Sequence, residues 1–154
     1  MKKVYQTIVD SEDGNCAQAA IASLFGKELE EVPNFVEYRE RYTEKLLDYF
    51  EVQGYPNATV VGVKRHEPDL INKAIALDSG VGGFFYASIH SMTYEGGTHA
   101  VVVDSKLNVV HDPNPNQRAL GLGRMQVVSM VFPNGIVIGK HGSVMKMEEV
   151  LDDI

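Results

Sequence analysis

Apolar residues recur along this chain in two rhythms, and the change from one to the other divides it. In residues 16–25 the apolar positions, among them Ala19, Ala20, Ile21 and Leu24, keep the three-to-four-residue spacing of a helix, and Gly26 follows as a helix stop. Residues 35–53 repeat that rhythm: Tyr38, Tyr42, Leu46 and Phe50 stand four apart and predict one face of a second, longer helix packed on a core. Gly54-Tyr55-Pro56-Asn57 breaks it. The β-branched run 58–64 predicts a strand and 68–77 a short helix opening at Pro68. From there strand-length runs dominate, at 83–90, 98–104, 108–112, 125–132 and 136–138. Residues 3–7 read as a short strand, 11–15 as a loop, and the acidic 147–154 as a terminal helix or frayed tail. Helices first and strands after define an α+β class. No repeat, low-complexity run or linker interrupts 1–154, which reads as a single domain.

Two of the strand runs make a specific geometric prediction. Thr98-His99-Ala100-Val101-Val102-Val103 and Asn108-Val109-Val110-His111-Asp112 are separated by a few polar residues, as in an antiparallel hairpin. A turn centred on Ser105 and Lys106 sets His99 directly opposite Asp112. A slip of two keeps them on one face as a diagonal pair, and a slip of one separates them. Asp104, five positions from His99 on the same strand, points to the other face, so Asp112 is the better partner acid. Val101 and Val103 alternating with Ala100 and Val102 predict a strand covered on both sides.

Composition narrows the chemistry. A hydrophobic content of 44% over 154 residues supports a core that needs neither disulfides nor metal. The single cysteine, Cys16, excludes an internal disulfide and a thiolate zinc cluster, and points to a reducing, cytoplasmic setting. No apolar run follows Lys2 and Lys3, and none reaches membrane-spanning length, so the expectation is a soluble, unexported protein. A net charge of −7 with dispersed basic residues (Arg39, Arg41, Lys64, Arg65, Arg118, Arg124) opposes nucleic-acid binding. Cys16 lies in Gly14-Asn15-Cys16-Ala17-Gln18, where loop becomes helix. The unpaired N–H groups and positive dipole end there favour a thiolate. With His99 as its base and acid and Asp112 to orient the imidazole, Cys16 has the partners a catalytic thiol requires. The Cys16 backbone N–H and the Gln6 side-chain amide are the candidate oxyanion donors. Gln18 is the rival, but two positions along the helix turn it about 200° away from Cys16.

Gln6, the Gly14-Asn15-Cys16 helix start, the strand Gly97-Thr98-His99-Ala100-Val101-Val102-Val103 and Val109-Val110-His111-Asp112-Pro113 together resemble the papain-like cysteine peptidase superfamily. The nearest branch is that of the bacteriocin leader-processing peptidases. Residues 14–35 further resemble small bacterial and phage proteins of this type, whereas 38–79 carry no such motif. The resemblance implies a nucleophile helix packed on an antiparallel sheet that presents histidine and acid, a peptide or protein substrate, and no metal or organic cofactor.

Other readings of the same residues stay open. The trio serves hydrolysis of a peptide or isopeptide bond, acyl transfer to an amine as in a transglutaminase, or deamidation. A non-catalytic papain-like binding protein acting on a host target is a further class. His90, His99, His111 and Asp112 lack a recognised metal-ligand spacing. Gly121-Leu122-Gly123 reads as a loop near the site, His66 and His141 as solvated, and Gly80, Gly82, Gly83, Gly96 and Gly97 as loops flanking a cleft.

Overall fold

Small side chains let the first helix lie close against the sheet. In α1 (Cys16–Phe25), Ala17, Ala19, Ala20, Ala22 and Ser23 are all buried, so its backbone approaches the strands beneath it. Gly26 ends it in the left-handed conformation (φ 66°), with the Lys27 N–H on the Ala22 carbonyl at 2.8 Å. The computed structural model describes residues 1–9, 14–62, 69–90, 98–115, 127–139 and 142–152. Among them are four α-helices and an antiparallel sheet, a mixed α+β architecture.

The main sheet is built from β1 (Thr59–Gly62), β2 (Phe84–His90), β3 (Thr98–Asp104), β4 (Val109–His111) and β5 (Val127–Phe132), in the spatial order β1-β5-β2-β3-β4. β6 (Ile136–Ile138) and β7 (Val144–Lys146) form a separate pair, and β7 runs into α4 (Met147–Asp152). One face of the main sheet, with Tyr86, Ala100, Val102 and Val131, packs against α1 and α2 (Tyr42–Val52) through Ile21, Leu46 and Phe50. The other face, with Phe85, Ala87, Val101, Val103 and Phe132, packs against Ile71 and Ala74 of α3 (Asp69–Leu77) and Ile136 of β6. β3 is therefore covered on both sides, as its alternation predicts. Burying a side chain of this size contributes about 1.5–3 kcal/mol, so these layers make the central strands a rigid mount.

Three elements differ from their sequence expectation. Residues 35–53 do not form one helix: a 3₁₀ segment, Phe35–Arg41, is kinked at Arg39 (φ 54°, ψ −119°) before α2 begins. Tyr42, Leu46 and Phe50 keep the core face, but Tyr38 is exposed, so the apolar stripe has no core to follow through Glu37-Tyr38-Arg39-Glu40-Arg41. Residues 3–7 are not a regular strand. They form an extended strap whose Gln6 N–H donates to the Pro113 carbonyl at 2.9 Å, just past β4. The glycines 80, 82 and 83 make a tight turn, with Val81 and Phe84 exchanging both backbone hydrogen bonds. Because Phe84 pairs with Asp104 at the far end of β3 from His99, this turn does not flank the candidate site. β7 and the 3₁₀ turn Leu29–Glu31 were not expected. His66, His141, Gly96, Gly97, Gly121-Leu122-Gly123, Lys64, Arg65, Arg118 and Arg124 lie outside the described residues.

Candidate active site

The hairpin of β3 and β4 reaches its geometry by a route the sequence arithmetic does not anticipate. Its turn is closed by Asp104, whose Oδ1 accepts the Lys106 and Asn108 N–H groups at 2.9 Å each. Val103 consequently pairs with Val109, one step from the symmetric register. Continued regularly, that pairing sets Asp112 opposite Ala100 and on the wrong face for His99. A bulge intervenes. Val102 pairs with His111, so β4 carries one extra residue, Val110, between the two pairs. Extended past His111, the shifted register sets Asp112 opposite Val101, diagonal to His99 and on its face. His99 Nε2 and Asp112 Oδ1 are 2.6 Å apart, with His99 buried and Asp112 nearly so.

The carboxylate is itself held. Asp112 Oδ1 also accepts the Asn114 N–H at 2.9 Å, a turn in which Asp-Pro-Asn folds back on its own acid. With Nε2 committed to Asp112, Nδ1 is the ring nitrogen left for the thiol, and the Cys16 side chain lies close enough to raise the imidazole pKa. Burial pushes the His99 pKa down, but the Asp112 hydrogen bond and the contact with Cys16 outweigh it and raise it to about 9. At neutral pH the ring is an imidazolium.

Cys16 is partly exposed at the first position of α1. Its Sγ accepts the Ala100 N–H at 3.5 Å, which ties α1 to the residue after His99. Asn15, the residue before the helix, does not cap it. Its Oδ1 instead accepts the Thr7 and Ile8 N–H groups at 2.9 Å, and its Nδ2 donates to Thr7 Oγ1 at 3.0 Å. Asn15 thus spends its side chain on the strap rather than on the first turn of α1.

The strap brings Gln6 to this place. It is fastened at Val4 by Ser23 Oγ (2.9 Å) and by the His111 Nε2–H donating to the Val4 carbonyl (2.6 Å), at Gln6 by Pro113, and at residues 7 and 8 by Asn15. The buried Gln6 side chain donates one Nε2 hydrogen to the Ile8 carbonyl at 3.0 Å, and that carbonyl also accepts the Asn15 N–H at 3.3 Å. The amide is thereby held near Asn15, just before α1, and among the described residues its buried Oε1 has no partner. Gln18 is occupied elsewhere. Its Nε2 donates to the Leu29 and Val32 carbonyls at 2.9 and 2.8 Å.

The structure thus brings Cys16, His99 and Asp112 together, and holds Gln6 through the Ile8 carbonyl near Asn15, the residue before α1. Asn15, Asn114 and His111 join them as supports, of which the Asp-Pro-Asn sequence was the readable signal. His111 turns to Val4 rather than to Asp112 and His99. Among the described residues no group of three His, Cys, Asp or Glu side chains is arranged to hold a metal ion, and no helix is long and apolar enough to cross a membrane. Compared with protein families, curated proteins and solved structures, the chain matches none.

Proposed function

We propose that this protein is a cysteine-dependent hydrolase of an amide bond, peptide or isopeptide, with a papain-like arrangement of helix and sheet. The observation that carries this reading is His99 held at 2.6 Å by Asp112 while Cys16, at a helix start, meets the N–H of the next strand residue, Ala100, at 3.5 Å. A buried ion pair of that kind, with a partly exposed sulfur, has the form of an activated nucleophile.

In this reading the Cys16 thiolate attacks the carbonyl carbon, and the developing oxyanion is received by the Cys16 N–H and the second Gln6 amide hydrogen. The C–N bond breaks as His99 gives its proton to the leaving amine. Neutral His99 then takes a proton from water, whose oxygen attacks the thioester. The products are a carboxylic acid and the free thiolate, with the imidazolium restored. Asp112 favours that cation and fixes the ring.

The test is labelling by an electrophilic peptide mimic, read by intact-mass spectrometry. One adduct is expected on the native chain, none on Cys16→Ala, and a rate lower by about 10²-fold or more in His99→Ala. Absence of an adduct on the native chain, or equal rates with and without His99, overturns the reading. The acyl group trapped from a true substrate, and whether water or an amine releases it, separates hydrolysis from acyl transfer.

A further inference from the structure

Behind Cys16 two tyrosine hydroxyls face each other in the core. Tyr42 Oη and Tyr86 Oη are 2.6 Å apart, and Tyr86 is only 3% exposed. Two hydroxyls carry two hydrogens, and their mutual bond uses one. The other has no acceptor among the described residues. Leaving a buried donor unspent costs about 1–3 kcal/mol, whereas two phenylalanines would fill the same space without that cost.

The pair's position gives the spare hydrogen a destination. Tyr86 stands opposite Val102 on the sheet face that packs against α1, and Ala100, whose N–H meets the Cys16 sulfur, lies on that face one pleat earlier. Cys16 and Tyr42 both pack against the cluster that contains Tyr86. A negative charge on Cys16 acts on both phenols, and burial keeps both protonated. The chain is also strained where it delivers Tyr42. Arg39, three residues earlier, has φ 54° and ψ −119°, a conformation that costs a non-glycine residue on the order of 1–3 kcal/mol and persists only where the surroundings enforce it.

We propose that the Tyr42–Tyr86 hydroxyl pair positions and stabilises the nucleophile, its unspent O–H hydrogen turned toward Cys16 as an oriented dipole. This rests on the reading of Cys16 as a nucleophile. Neither hydroxyl bonds the sulfur directly, so the pair acts across the packed interior, where low polarisability keeps a fixed dipole effective. Either oxygen can be the donor in the pair, so the unspent hydrogen belongs to whichever tyrosine is accepting.

The experiment compares the native protein with Tyr42→Phe/Tyr86→Phe, using iodoacetamide alkylation of Cys16 from about pH 6 to about pH 10 and thermal unfolding. Removing both partners is nearly neutral for stability, while either single Phe strands one hydroxyl and destabilises. The double variant is expected to unfold within a few degrees of the native protein. Its alkylation should be roughly three- to tenfold slower at pH 6, with the same limiting rate at pH 10. Superimposed profiles overturn the proposal and make the pair structural only. An equal slowing at both pH values also overturns it, since that reports altered access. The assay reads the thiol alone, so a shifted profile without turnover of any amide upholds the pair's role while rejecting the hydrolase reading.

Discussion

Asp112 combines two tasks that substitution can separate. Its Oδ1 orients His99 and is itself oriented by Asn114, whereas its charge favours the imidazolium. Asp112→Asn retains an acceptor in that place, so the ring is expected to stay oriented while its pKa falls from about 9, read from imidazole chemical shifts against pH. Asp112→Ala removes both functions and should lower turnover far more than Asp104→Ala, which only loosens a hairpin turn. Equal losses at the two acids would count against Asp112 as the orienting group. For Gln6, whose amide is held by Ile8, Gln6→Ala should lower kcat roughly 10²-fold with little change in KM. A silent Gln6→Ala would remove it from the oxyanion site. The meeting of Cys16, His99 and Asp112 was legible because each residue type carries its chemistry in its name and the loop-to-helix change is visible in the pattern. Asn15 was not. A helix-start asparagine reads as a cap, and only the tertiary course of the strap shows its side chain used for Thr7 and Ile8.

At the scale of elements, periodicity located strands better than it located breaks. β3 and β6 match their expected bounds, because alternating or continuous burial writes itself into every residue of a strand. The kink at Arg39 and the β4 bulge leave no such trace, since one residue of unusual backbone conformation changes no hydrophobic pattern. His99 and Asp112 were expected directly opposite for a symmetric turn, or diagonal after a slip of two; they meet on one face, but through a turn slip of one and a bulge acting in succession. Deletion of Val110 tests that account. With the extra residue gone, Val103–Val109 and Val102–His111 become consecutive pairs, and Asp112 stays on His99's face. The shortened protein is expected to fold and to keep thiol labelling dependent on His99. Loss of that dependence in a folded chain would refute the bulge's compensating role.

Across the whole molecule, two histidines shape stability in opposite pH ranges. His99 has a raised folded pKa, so its contribution is complete below the unfolded value of about 6.5 and is lost as pH rises through about 9. His111 is depressed, chiefly by burial and further by Lys3, against the opposing Val4 hydrogen bond and Asp112. Its contribution is complete above about pH 6.5 and is lost as pH falls through the lowered folded value. The melting temperature should therefore decline on both sides of near-neutral pH. His99→Gln should flatten the alkaline limb and His111→Gln should reduce the slope of the acid one, measured by calorimetry. An alkaline limb unchanged in His99→Gln would mean that the buried pair does not set it.

The bulge in β4 also bears on how chains of this kind are compared. Regular strands tolerate length changes only in steps of two if a residue is to keep its face, so a regular hairpin joined by a His–Asp hydrogen bond would forbid any odd step. Here one residue of slack is already stored at Val110, so a single-position gap there leaves the acid facing the histidine. An odd gap between Asp112 and His111 has no such reserve and would turn the acid away.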